Sequence, residues 1–102
     1  MKKMVDVWQS ELRRSIPMEY VGTVKLDGRS DTPMITEGCE YMIVRDEDGS
    51  IKLVDNDEED YSYDLIGPNS LGGKFYYVDD PQGVLKKYMS AYEPGVAESQ
   101  CK

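Results

Sequence analysis

Nine carboxylates fall between Asp46 and Asp64, with Lys52 as the one base among them. They are Asp46, Glu47, Asp48, Asp55, Asp57, Glu58, Glu59, Asp60 and Asp64. The chain's net charge of −8 equals the charge of this stretch, and the remainder balances. Carboxylates at this density can hold a hard cation, work in pairs as acid and base, or attract a basic partner. Calcium is the first chemistry to test. An EF-hand counted from Asp55 puts Asp60 where glycine makes the sharp turn and Ile66 where a bidentate Glu is needed. Counted from Asp46, those positions hold Ile51 and Asp57. Both registers fail, and strand-like flanks contradict the helix–loop–helix setting. No metal site is expected. A glycosidase pair would need a cleft that so short a chain seldom encloses.

Gly67-Pro68-Asn69-Ser70-Leu71-Gly72-Gly73-Lys74 has the look of a phosphate loop. Phe75 follows the lysine where Ser or Thr should stand, and no parallel strand–helix unit surrounds it. Cys39 lies beside Glu40, but the chain has no histidine to serve as its base. Cys39 and Cys101 are unlike a CxxC pair, so neither zinc nor redox chemistry is expected, nor a disulfide framework. Catalytic residues and cofactors are accordingly expected to be absent, and the protein is expected not to be an enzyme. Eight tyrosines remain. Strand alternation puts Tyr61 and Tyr63 on one face and sets Tyr76 opposite Phe75 and Tyr77. Exposed rings near acids suit basic or proline-rich peptides. Burial under the terminal segments is the plainer account of the same rings.

These residues must be positioned by one small domain of 102 residues and 11.6 kDa. A second core would not fit. No apolar run reaches the roughly 20 residues that span a bilayer, and Met1-Lys2-Lys3-Met4-Val5-Asp6 lacks the apolar core of a secretory signal. A cytoplasmic setting is therefore expected. The acidic balance, at pI near 4.4, disfavours direct contact with nucleic-acid phosphates.

Met1, Val5, Trp8 and Leu12 recur at helical spacing, which predicts a helix over 1–16, firmest at 3–15, stopped by Pro17. Its stripe would dock on the domain, giving a monomer, or pair with a second copy, giving a homodimer. From Glu19 the period becomes two. Strands are predicted over 20–26, 40–45, 50–54, 61–66 and 74–78. Asp27 to Pro33 reads as a loop, and Asp48-Gly49 as a hairpin turn. Asp80 as N-cap and Pro81 as first helical residue predict a helix over 81–92 with Val84, Leu85, Tyr88, Met89 and Tyr92 on its inner stripe. The organisation expected is an N-terminal helix at 1–17, a barrel at 18–79, and a C-terminal helix with tail at 80–102. Tyr41, Ile43, Leu53 and Phe75 are the expected core.

Ile35-Thr36-Glu37-Gly38-Cys39-Glu40-Tyr41-Met42-Ile43 resembles the apolar-Thr-x-Gly-Lys-x-Tyr-x-Val opening of small SH3-like β-barrel proteins. These are encoded by bacteriophages, prophages and their Firmicute hosts. The order of later features is similar too: an acid-Gly hairpin at Asp48-Gly49, an apolar strand Ile51-Lys52-Leu53-Val54, an Asp-rich turn at Asp55-Asn56-Asp57, and an aromatic strand Lys74-Phe75-Tyr76-Tyr77-Val78. The resemblance spans about residues 20–78. It departs at Cys39, where the pattern has Lys, and at the inserted stretch Leu65 to Gly73. It implies a small five-stranded antiparallel SH3-like barrel, mainly β, here with short helices at both ends.

The expected function is a non-enzymatic protein-binding or regulatory module, phage- or mobile-element-encoded. Its partner would be another protein with a basic surface, with no direct nucleic acid and no membrane. The expected contact residues are Asp55, Asp57, Glu58, Glu59, Asp60, Tyr61, Tyr63, Tyr76 and Tyr77. The alternative is an inhibitor that mimics DNA charge and blocks a nucleic-acid-binding protein. That would need carboxylates spread at phosphate-like spacing across one face.

Overall fold

A computed structural model describes residues 3–30, 32–62 and 72–92. The protein is mainly β, an antiparallel sheet curled into a half-barrel. Among the described residues the strands are β1 (Met4–Gln9), β2 (Arg14–Ser30), β3 (Glu40–Arg45), β4 (Ile51–Val54), β5 (Asp60–Tyr61) and β6 (Gly72–Asp79). They run in the order β1-β2-β3-β4-β5, and β6 pairs with the far end of β2.

The N-terminal helix expected over 1–16 is absent. That segment is a hairpin, β1 against the first third of β2, with Val5 opposite Met18 and Val7 opposite Ile16. Alternation decides its faces. Val5 and Val7 turn inward, while Met4, Asp6 and Trp8 are exposed. Val5, Trp8 and Leu12 therefore share no face, and the helical homodimer seam built on them goes with the helix. Pro17 does not stop the chain either. Tyr20 N–H donates to Lys3 O at 2.8 Å, so the amide of every second residue back from Tyr20 faces β1. Position 17 falls between them and faces the other edge, where pairing with β3 has ended at Glu19–Arg45. A missing donor is tolerated there.

β2 is long because it serves three neighbours in turn. It pairs with β1 over 14–19, with β3 over 19–25 and with β6 over 23–30, so the expected loop from Asp27 is strand as far as Ser30. A bulge between Tyr20 and Gly22 bends it. Residues on both sides of the sheet are thereby buried. One cluster gathers Val24, Leu26, Ile35, Tyr41, Ile43, Leu53 and Phe75 under Leu85 and Met89. The other places Val7 and Met18 of the hairpin over Val44 and Val54. β3 is covered on both faces, which accounts for its unbroken apolar run Tyr41-Met42-Ile43-Val44. The four expected core residues are all buried.

The C-terminal helix expected over 81–92 shrinks to one 3₁₀ turn, Leu85–Lys87. Its N-cap residue is Val84 rather than the expected Asp80, although the Asp80 carboxylate accepts the amides of Leu85 and Lys86, each at 3.0 Å. Gly83, at φ +71°, diverts the backbone before a helix can propagate. Leu85 and Met89 are buried, but Tyr88 points outward at 45% exposure rather than docking. Beyond the turn the chain returns to the sheet, where Tyr77 N–H donates to Ser90 O and Tyr92 N–H to Tyr77 O. Gly22 makes this closure possible. A Cβ there would lie 2.5 Å from Asp79 O and 2.6 Å from Leu85 Cδ1.

Cys39 is disulfide-bonded, where no disulfide framework is expected from the sequence. The chain's other cysteine, Cys101, lies outside the described residues. No helix among the described residues is long and apolar enough to cross a membrane.

Candidate functional site

The acidic stretch is two turns with different work to do. In the β3–β4 turn, Asp46 accepts the amides of Asp48 and Ser50, each at 2.9 Å, and meets Lys52 Nζ at 3.3 Å. Partial desolvation raises the Asp46 carboxyl, but the Ser50 amide and Lys52 outweigh it and hold it below the ordinary aspartate value. Gly49, at φ +83°, supplies the left-handed corner that the Asp-Gly pattern predicts. Glu47 and Asp48 stand exposed at the tip.

In the β4–β5 turn, Asp55 is 4% exposed and its side chain accepts the Asp57 amide at 2.9 Å. Its backbone carbonyl accepts Glu58 N–H, and Glu58 holds a positive φ of 64°. Glu59 reaches back to the first hairpin, where Oε1 accepts the Ser10 amide at 2.8 Å. Asp60 Oδ1 accepts Gln9 Nε2 at 2.7 Å. The tip of the β1–β2 hairpin is thus tied to β5 across the opening of the half-barrel. The Ser10 hydrogen bonds hold the Glu59 carboxyl below its ordinary value. Of the expected contact acids, Asp55, Glu59 and Asp60 are engaged within the fold, while Asp57 and Glu58 remain outward.

Among the described tyrosines, Tyr61 stands beside these acids, while Tyr76 and Tyr77 lie on a different strand. Tyr61 is 42% exposed, and its hydroxyl donates to Glu59 Oε2 at 3.3 Å. The negative charge of Glu59 raises the Tyr61 phenol above its ordinary value. Tyr76 and Tyr77 lie on β6, which is not a neighbour of β5 in the sheet. Tyr77 packs against the main core, and Tyr76 lies under Lys74 Nζ at 5.1 Å. Tyr63 lies outside the described residues, as does most of the strand expected over 61–66.

The sequence reading missed the surface of the first hairpin. Met4, Trp8 and Leu12 are 51%, 40% and 53% exposed, the largest bare apolar side chains near the acidic turns. Reading 4–9 with period two would have put Met4, Asp6 and Trp8 on one outer face. Between this hairpin and the β3–β4 turn runs an open groove of about 640 Å³. Its lining includes Met4, Ile16 and Pro17 together with Glu47 and Asp48. Among the described residues no group of His, Cys, Asp or Glu is arranged to hold a metal ion.

No family model, curated protein or solved structure matches this chain.

Proposed function

We propose that the chain is a non-enzymatic protein-binding module whose partner presents a basic surface. The observation that carries this reading is the pair of exposed carboxylates on each turn flanking β4, Glu47 and Asp48 before it and Asp57 and Glu58 after it. Exposed carboxylates of one sign accelerate encounter with a cationic surface. The SH3-like arrangement and the phage or mobile-element setting rest on the Ile35–Ile43 motif and the order of features that follows it. The inward engagement of Asp46, Asp55, Glu59 and Asp60 favours a local partner patch over charge mimicry, because mimicry needs those carboxylates in a regular outward array.

Affinity capture from a lysate at low and at high salt, read by mass spectrometry, tests the reading. A basic protein retained at low salt by the wild type, and lost when the four exposed acids are neutralised, is expected. Capture that is indifferent both to salt and to the substitutions contradicts it.

A further inference from the structure

The outer face of the first hairpin is an unpartnered sheet surface with an acidic border. Cross-strand partners share a face, so Met4, Asp6 and Trp8 of β1 stand beside Glu19, Pro17 and Ser15 of β2. Met4, Trp8 and Pro17 are exposed on it. The neighbouring groove shares Met4, Pro17 and Glu19 with this face, though not Asp6 or Trp8, and is lined by five carboxylates, Glu19, Asp46, Glu47, Asp48 and Asp60, against one guanidinium. That guanidinium, Arg45, is already held by Glu19 at 3.4 Å. Exposed apolar side chains beside a border of carboxylates complement a chain that alternates apolar and cationic side chains. The Trp8 ring adds a face on which a guanidinium can stack.

We infer that this face docks an extended basic segment of a partner protein. Its apolar side chains lie over Met4 and Pro17, and its Arg or Lys side chains reach Asp6, Glu47 and Asp48. The inference rests on the protein-binding reading above and adds the surface and the chemistry of the bound segment.

Trp8 is the sole tryptophan, so its emission reports on this face alone. The probe is a short peptide of alternating arginine and leucine, with its glutamate–leucine counterpart as control. The basic peptide is expected to shift Trp8 emission saturably, and the acidic peptide to leave it unchanged. The Glu47→Gln, Asp48→Asn double variant should weaken binding about tenfold, as expected for loss of a charged rim. These two side chains make no contact that the fold depends on. A Glu37→Gln variant, altered at an exposed acid away from both turns, should bind like the wild type.

Absence of a saturable shift, or equal shifts from both peptides, overturns the inference. So does Trp8 emission that changes with protein concentration alone, since a second copy would then occupy the face. If peptide anisotropy shows binding while Trp8 stays silent and only an Asp57→Asn, Glu58→Asn variant abolishes it, this surface is wrong while the basic-partner reading stands.

Discussion

The Tyr41 hydroxyl donates to Asn56 Oδ1 at 2.9 Å while accepting the Thr36 amide at 2.6 Å. Asn56 completes the knot by donating its side-chain amide to Pro33 O at 2.9 Å and to Thr36 Oγ1 at 3.0 Å. Two turns distant in sequence are thereby locked together at the end of the main core. Thr36, Gly38 and Tyr41 in the Ile35–Ile43 motif acquire a physical reason: a turn closed by Thr36 O, a left-handed corner at Gly38, and the hydroxyl that pins both.

Tyr41→Phe leaves the ring in the core but strands polar groups that faced the hydroxyl. A loss of about 1–3 kcal/mol is expected by chemical denaturation. Combined with Asn56→Ala, the losses should fall short of additivity by about 0.5–3 kcal/mol, because both variants break one network. Strict additivity would show that the two residues act separately.

Leu53→Ala should cost about 2–5 kcal/mol, since the side chain is fully enclosed beneath Phe75 and Leu85. Trp8→Ala and Leu12→Ala should each stay within about 0.5 kcal/mol, as exposed side chains do. A large loss at Trp8 would place that ring in a core, contrary to the hairpin.

Gly22→Ala should destabilise by about 1–3 kcal/mol, because its methyl meets backbone oxygen and a core leucine with no room to move. Gly49→Ala has open space and pays for its positive φ alone, about 1–2 kcal/mol. Thermal denaturation of the pair, with Leu85→Ala added to each, separates the causes. Shortening Leu85 should relieve part of the Gly22 variant's penalty and none of the other's.

Much of the sheet was legible before any coordinates. Strands over 40–45 and 50–54, the Asp48-Gly49 corner and four core positions follow from alternation and turn chemistry. The two terminal segments, expected as helices, were not. At the N-terminus Val5, Trp8 and Leu12 fit a helical period by coincidence, and the Ser10–Arg13 turn carries no glycine to announce it; Arg13 takes the positive φ of 55° itself. At the C-terminus Asp80 does bond forward to backbone amides, but at Leu85 and Lys86 beyond Gly83, so it closes a turn and no helix starts at Pro81. The acidic site was half legible. Composition located the charge, but only geometry shows Glu59 and Asp60 bonding to the first hairpin.

That bonding has a pH signature. The Glu59 carboxyl has a lowered value in the folded state, so its contribution is present above the ordinary glutamate value and fades as pH falls through the folded one. Asp46 acts with the same sign in the other turn. On acidification the hairpin tip should loosen from β5 before the core melts, seen as increased exchange of the Ser10 amide. Glu59→Gln should remove that acid step, and a step of unchanged size would assign it elsewhere.

Alkylation under denaturing conditions without reductant should leave Cys39 unlabelled, and reduction should render it labelled. Labelling without reduction would contradict the disulfide.

The role of the exposed acids is tested most directly by the association rate with a captured partner, measured across salt concentrations. Neutralising Glu59 and Asp60 would confound that test by breaking bonds to Gln9 and Ser10, so the substitutions are Glu47→Gln, Asp48→Asn, Asp57→Asn and Glu58→Asn. Asparagine suits the positive φ at position 58. Wild-type association should slow steeply as salt rises, as screening shortens the reach of the carboxylates. The variant should associate slowly at low salt, with a flattened salt dependence and unchanged unfolding. Equal rates and equal salt slopes for the two proteins would contradict the account and leave the acidic turns as solubilising surface.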